Sequence, residues 1–558
     1  MRITHARIRG WRSIKDIQLQ PGRVTALVGP NNAGKTSILS AFNFLLGDRY
    51  PQVQALEDKD FFGKRRDEGV EIAVEFEPGH DLRALTFNSS ATYPARDLTA
   101  RWHDGRNTGI TNDSRRAAGL VYLDAARSFD GQFGASRWSL FGQIVRQLNE
   151  NFRQTVPEQT LVEIQGHLER AQELLKTDLY KAFVAAVSAA FQEQVRLAGH
   201  AVEFDFRTFD PLNFYRAMYP TLVEDGEGKN PSEAGSGMRN LIVMALFRAY
   251  AKTFRSDSII AIEEPELYLH PHAQRSLAAL FTELAAAGSQ IFYSTHSASF
   301  LWAERFDEIV LVERRPDEDG DVATQVRWLP EDEMVKRRRS LHPGVALTGA
   351  SVRDRLAFAC GVEQAEAFFS KAVVLVEGET EAAALPVFAE ALDFPFDAHG
   401  VSVVEASGKS GLDTLHDLYG GFGIPTFVIF DNDEGTRDRG LLDANRTLTR
   451  LLGLLETESP SASVGERHAI LSPDFEKTLR RELDAFEAGL YDRLEAEARR
   501  AYGGARKPSI ARHLAKRLAG EGRIPPTIAQ IISAVAKMLG AEAREPNRAV
   551  ETENPDEV

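Results

Sequence analysis

The sequence predicts a multidomain α/β fold, and three observations carry that expectation. Short apolar runs of strand length alternate with helical periodicity in two separate stretches of the chain, 1–340 and 371–460. A purely helical pattern interrupts the first stretch at about 140–200. A glycine-rich turn follows a strand-like run near the N-terminus and opens a helix. A chain of 558 residues has ample core for two to four domains.

Val24-Thr25-Ala26-Leu27-Val28 reads as a buried strand. Lys35 to Leu46 reads as a helix that collects Ile38, Leu39, Phe42, Leu45 and Leu46 on one side. Between them lies Gly29-Pro30-Asn31-Asn32-Ala33-Gly34-Lys35-Thr36, the pattern G-x-x-x-x-G-K-[ST] of a phosphate-binding loop. Glycine lets backbone N–H groups curl around phosphates, Lys35 reaches the β- and γ-phosphates, and the Thr36 hydroxyl ligates Mg²⁺. The helix start adds its own N–H groups and positive dipole end. Asn31, Asn32, Gly34, Lys35, Thr36 and Ser37 are therefore the expected ATP contacts of this loop.

From 141 to 202 the apolar residues Leu161, Ile164, Leu168, Leu175, Leu179, Phe183, Val187 and Phe191 recur every three to seven positions. Such a stripe marks a buried or partner-facing helical surface. Alternation resumes from about 203. Ser236-Gly237 stands at the start of a long helix, where small residues present N–H groups to a γ-phosphate. Ser258-Ile259-Ile260-Ala261-Ile262 is a buried strand that ends in Glu263-Glu264-Pro265-Glu266. There Glu263 is placed to hold the Mg²⁺–water shell and Glu264 to orient the attacking water. Gln290 to Thr295 is a further strand, and His296 beyond it is a γ-phosphate sensor or a structural histidine. The order of these motifs resembles the ABC-type ATPase heads of SMC and RecF-like proteins, in which two heads sandwich two nucleotides. That resemblance implies a dimer, with Ser236 and Gly237 facing the other subunit's loop.

A helical stretch near 331–368 leads to the second α/β block. Lys371 to Val376 is a strand ending at Glu377, Glu381 follows one helical turn later, Val401 to Val404 is a second strand, and Pro425 to Phe430 is a third, ending in Asp431-Asn432-Asp433. A βαβαβ unit places strand C-termini at one edge, so Glu377, Glu381, Asp431 and Asp433 converge there. Clustered carboxylates repel one another unless cations neutralise them, which points to Mg²⁺ or Mn²⁺. These residues resemble the Toprim domain. An ABC-type ATPase followed by Toprim is similar to the OLD (overcoming lysogenization defect) family over nearly the whole chain.

The OLD resemblance implies an ATP-binding and hydrolysing, metal-dependent endonuclease acting on DNA, with ATP and Mg²⁺ (or Mn²⁺) at both sites. It also implies a homodimer or higher homo-oligomer, and relatives such as the Gabija nuclease serve in anti-phage defence, with DNA repair as the other setting. A helicase-like partner protein belongs to the same picture. Family Toprim domains supply a further acid and a lysine. Glu476, in Asp474-Phe475-Glu476, fits the acid as a metal ligand, and Lys507 before Pro508 fits the lysine ahead of Lys409.

The implied organisation is an ATPase domain at 1–140 and 203–340, a helical insertion for dimerisation at 141–202, and a helical linker at 341–370. Toprim follows at 371–460, a helical region completing the nuclease domain at 461–540, and a disordered acidic tail at 541–558. The alternative is an SMC/RecF-like ATPase that acts on DNA in recombination or repair without nuclease activity. Twelve tyrosines with no distinguishing context disfavour a topoisomerase, and a single cysteine disfavours the zinc cluster of a primase. Net charge of −15 argues against indiscriminate nucleic-acid binding, and the basic run Lys336 to Arg339 is balanced between a solvated face and a DNA-backbone contact. No apolar run of membrane-spanning length and no signal-peptide pattern is present, so a cytoplasmic location without membrane contact is expected.

Overall fold

The computed structural model describes residues 1–558 except 48, 91–95, 116–117, 127–131, 134–138, 196–210, 225, 255–257, 504–505 and 544–558. The expected acidic tail, from 544 onward, lies outside the described residues, as does the start of the second ATPase stretch at 203–210. Two units make up the chain: Met1–Ala125 with Asp257–Val558, and Ala126–Ser256. The second unit includes the 141–202 stretch and reaches beyond it on both sides in sequence. Among the described residues no helix is long and apolar enough to cross a membrane.

The N-terminal part of the first unit contains two six-stranded sheets. One is antiparallel throughout and includes Ile3–Trp11, Ile14–Leu19 and Glu71–Phe76. The other runs, in spatial order, Val322–Trp328, Ile309–Pro316, Val24–Val28, Gln290–Thr295, Ile259–Glu263 and Leu120–Leu123. Its last five strands are parallel, and only the Val322–Trp328 edge is antiparallel. Val24–Val28 and Ile259–Glu263 are buried at every position, as expected for strands covered on both faces. Helix Lys35–Leu46 lies in the same apolar core as strands of both sheets, with Phe42 against Phe292 at 5.0 Å between ring centres. Because Val28 is in register with Thr295 and Ser294 with Glu263, the loop after Val28, Glu263 and His296 leave the sheet at one edge.

The C-terminal part is a five-stranded sheet in the order Val401–Glu405, Ala372–Val376, Thr426–Asp431, His468–Leu471 and Ser463–Val464, parallel except for the last strand. The sheet therefore continues past 460: His468-Ala469-Ile470-Leu471 is a strand inside the stretch expected to be helical. Four apolar-rich residues carry too little periodicity to separate a strand from a helical turn. The four helices that follow, from Phe475 to Met538, share one core with helix Glu379–Ala391 and the inner strands.

Between the two parts, helix Glu331–Leu341 holds the basic run. Arg338 is buried, donating to Asp417 at 3.0 Å and Asp413 at 3.3 Å, while His342 Nε2 lies 2.7 Å from Asp413. Arg337 and Arg339 donate to the carbonyls of Gly420 and Leu347. Arg337 and Arg338 thus tie the linker to helix Lys409–Gly421, while Lys336 and Arg339 are exposed, so the run is divided between an internal brace and a solvated face.

The second unit is mainly helical: Leu140–Thr155, Glu158–Leu175, Asp178–Val195 and Ser236–Phe254, with a short hairpin at Leu222–Glu224 and Glu227–Lys229. Helix Glu158–Leu175 buries no residue, and Leu175, Leu179 and Phe183 of the predicted stripe are exposed. Within one chain the stripe is not a core face.

Candidate nucleotide site and carboxylate centre

The phosphate loop is braced from behind. Gly29 has φ +151° and passes so close to its neighbour that an added Cβ would lie 2.0 Å from the Val312 carbonyl oxygen. Gly34, at φ +111°, would place a Cβ 2.1 Å from Thr324 Oγ1. Only glycine suits both positions. Thr324 Oγ1 donates to the Ala33 carbonyl at 2.9 Å and lies 2.9 Å from Ser13 Oγ, which in turn lies 3.0 Å from Ser37 Oγ. Asn32 holds a left-handed φ of 62° between them. Lys35 is buried and donates to the Gly29 and Pro30 carbonyls at 2.8 and 2.9 Å, and burial pulls its ammonium down to about 8.

Glu263 is 4% exposed, so burial raises its carboxyl above the usual range. Its Oε2 accepts from Thr36 Oγ1 at 3.4 Å and its Oε1 from Tyr122 Oη at 2.5 Å. Glu264 turns out of the strand at φ 42°, with its N–H on the Ser294 carbonyl at 2.9 Å. That conformation is costly for a non-glycine residue and occurs where the surroundings enforce it. Glu264 Oε1 lies 3.9 Å from His296 Nε2, and the His296 N–H donates to Glu266 Oε1 at 2.5 Å. Burial, then the Lys35 charge, lowers the His296 imidazole below its ordinary value. Lys35, Thr36, Glu263, Glu264 and His296 thus meet at one sheet edge, whereas Ser236 and Gly237 begin a helix of the second unit. Tyr122 and Glu266 were not singled out by sequence. A tyrosine inside Leu120-Val121-Tyr122-Leu123, an otherwise aliphatic strand, was the available signal.

A cleft of about 550 Å³ opens beside His296. His296 to Ser299 form one wall, Asp397, Val401 and Ser402 another, and Phe369 lies between. The Phe369 ring stacks on His296 at 6.5 Å between centres, three residues before strand Ala372–Val376 begins.

Glu377 stands directly after that strand, and its Oε2 accepts from the Asp431 N–H at 3.3 Å. Glu381 is buried in the first turn of helix Glu379–Ala391. Asp431 ends its own strand. Burial raises all three carboxyls: Glu377 in direction only, Glu381 to about 7 and Asp431 to about 9. Repulsion from Glu381, Glu377, Asp474 and Asp433 adds to the rise at Asp431, and repulsion from Glu377 and Glu476 adds to that at Glu381. Asp431 Oδ1 is buried without a hydrogen-bond partner.

Asp433, at φ 50°, is paired with Lys409, which is buried and also donates to Asn445 Oδ1 at 2.9 Å. Lys507 is largely exposed and bridges to Glu476 at 3.0 Å. Both lysines therefore meet the acidic set, Lys409 at its floor and Lys507 at its rim.

Crowded, mutually repelling carboxyls with one orphaned oxygen suit a hard divalent cation. Among the described residues no three acidic, histidine or cysteine side chains are already gathered closely enough to enclose one. The donor chemistry fits a cation, and ligation would draw the side chains together.

Comparison with known proteins agrees with this two-site layout. The model for the AAA ATPase domain matches residues 1–92 and 93–301, and that for the overcoming lysogenization defect protein-like TOPRIM domain matches residues 368–433. The chain is 29% identical over 456 residues to the OLD nuclease of Thermus scotoductus, covering 76% of this chain and 81% of that one. It is 22% identical to the Old nuclease of Escherichia phage P2, over 82% and 80% of the two chains. To the endonuclease GajA of Bacillus cereus it is 20% identical, over 78% and 75%. The two domain models take in the phosphate loop and Glu377, Glu381, Asp431 and Asp433, and the chain belongs to the OLD family of proteins that join an ATPase domain to a Toprim domain.

Proposed function

We propose that the protein is an ATP-binding and hydrolysing, Mg²⁺- or Mn²⁺-dependent DNA endonuclease. The orphaned, charge-crowded Asp431 carboxyl carries this reading, because a buried acid held among other acids suits a cation-dependent phosphodiester centre better than a passive DNA contact. Glu377, Glu381, Asp431, Asp433 and Glu476 are the residues that would hold the cation. A bound divalent ion there supplies an activated water and neutralises charge on the leaving oxygen. Lys507 at the rim would face the scissile phosphate, and Lys409 would keep Asp433 in place.

In the head, Lys35 would leave its loop carbonyls for the β- and γ-phosphates, and Thr36 and Glu263 would hold the nucleotide's cation. Glu264 would orient the attacking water, with His296 beside it. Ser236 and Gly237 would complete the site of a second subunit in a homodimer, for which the exposed stripe of Leu175, Leu179 and Phe183 is suited. GajA's role suggests anti-phage defence as the setting.

Purified protein with Mg²⁺ or Mn²⁺ is expected to convert supercoiled plasmid into nicked and linear forms. The Asp431→Ala variant should lose at least about 100-fold in rate while still binding ATP. Unchanged cutting by that variant would remove the Toprim centre from the reaction.

A further inference from the structure

Tyr122 lies on the edge strand Leu120–Leu123, in parallel register beside Ile259–Glu263. Its neighbours Val121 and Leu123 are buried, and its own ring packs against the head core. Space and apolarity there would be met equally well by phenylalanine. The hydroxyl is the part that packing does not explain, and it donates to Glu263 Oε1 at 2.5 Å. The other oxygen, Oε2, accepts from Thr36 Oγ1 at 3.4 Å. Oε1 is thus engaged from an edge strand and Oε2 from the phosphate loop, and the Ala125 N–H also donates to this carboxyl.

A carboxylate has two chemically equal oxygens, and rotation of its terminal torsion is soft. With Oε1 engaged by a phenol, beside the Ala125 N–H on the same carboxyl, that rotation is opposed and Oε2 stays beside Thr36. A phenol also suits the task because it has a single proton to give and its ring is fixed by packing. The wall that carries it belongs to neither phosphate-loop motif, which is why motif reading passes over it.

We propose that Tyr122 is a positioning residue for the nucleotide's cation: it fixes the Glu263 carboxylate so that Oε2 and Thr36 Oγ1 present a ready pair of oxygens. The proposal rests on the reading of Thr36 and Glu263 as the cation-holding pair. Its consequence is selective. Loss of the hydroxyl weakens binding of the metal–nucleotide complex and leaves metal-free nucleotide binding alone, because Tyr122 has no part in the phosphate cradle.

The test compares full-length protein, Tyr122→Phe and Glu263→Gln by equilibrium binding of a fluorescent ATP analogue, first in EDTA and then across a Mg²⁺ titration. For Tyr122→Phe the Mg²⁺ concentration giving half of the metal-induced gain in affinity should rise about 10-fold, as expected for loss of a hydrogen bond to a charged group. Affinity in EDTA should stay within about twofold of the parent. Circular dichroism melts check that the near-isosteric variant is folded, and Mn²⁺ paramagnetic resonance with nucleotide gives the same comparison without fluorescence. An unshifted Mg²⁺ requirement in Tyr122→Phe, alongside a shifted one in Glu263→Gln, overturns the role of Tyr122 alone. Equal losses with and without Mg²⁺ in Tyr122→Phe also overturn it, as a merely structural effect. No shift in Glu263→Gln overturns the cation pair itself and the proposal with it.

Discussion

In the head, the strand-end acid Glu263 is held by Tyr122 and Thr36, and Glu266 accepts the His296 N–H through Oε1 while its buried Oε2 has no hydrogen-bond partner. Lys35 is likewise occupied, by loop carbonyls. In the Toprim sheet, Glu381 is as buried as Glu263, and Glu377 and Asp431 are part-buried. Glu377 accepts the Asp431 N–H, Asp431 Oδ1 has no partner, and mutual repulsion among these acids adds to the rise of the Asp431 carboxyl. The same architecture, acids at the C-terminal edge of a parallel sheet, is thus finished in two ways. A site braced by its own hydrogen bonds is already shaped before nucleotide and cation arrive. A site left with uncompensated charge depends on the cation for its shape, and its stability is coupled to metal.

The sharpest way to break this contrast is a crossed measurement on two variants. Lys35→Ala should weaken ATP binding by about 100-fold, since it removes charge-assisted contacts to phosphate. It should leave intact the rise in melting temperature that Mn²⁺ gives without nucleotide. Asp431→Ala should do the reverse, binding ATP normally and losing most of the Mn²⁺-induced rise. If Lys35→Ala abolished the metal-induced stabilisation, the two centres would not be independent and the contrast would fail.

A smaller effect follows from the raised carboxyls. Asp431 at about 9 and Glu381 at about 7 hold protons more tightly in the folded chain than in the unfolded one, where carboxyls titrate near 4. Unfolding therefore releases protons between those limits, and stability in chelator falls as pH rises from about 5 to 9. Other groups titrate in the same range, so the informative quantity is the difference between Asp431→Asn and the parent. That difference should grow with pH to about 2–4 kcal/mol in favour of the variant, and saturating Mg²⁺ should shrink it. Denaturant melts at pH 5, 7 and 9 measure it, and a difference independent of pH would mean that the Asp431 carboxyl is not raised in the folded chain.

What could be read in advance depended on range along the chain. The phosphate loop, Glu263-Glu264 and Glu377 were legible because each motif follows directly on an apolar strand, so fold and chemistry are encoded within a dozen residues. Tyr122 was not, because its meaning comes from register with Ile259–Glu263, some 140 residues away. Arg338 misled for the same reason: a basic run looks solvated until Asp413 and Asp417 are brought to it by helix Lys409–Gly421. The strand His468–Leu471 was missed because its burial, and not its pattern, makes it a strand.

The two lysines show the same contrast within one centre. Lys409 is buried between Asp433 and Asn445, so Lys409→Ala leaves Asp433 without its partner and should cost about 3–5 kcal/mol of stability. Lys507 sits at the exposed start of helix Lys507–Gly520, where its bridge to Glu476 contributes under about 1 kcal/mol. Lys507→Ala should therefore melt within a few degrees of the parent. Its plasmid-cutting rate is the separate readout: a large fall at unchanged stability assigns Lys507 to the scissile phosphate. A rate that stays level in Lys507→Ala, together with a loss in folded Lys409→Met larger than its stability change accounts for, would move that assignment to the floor of the site.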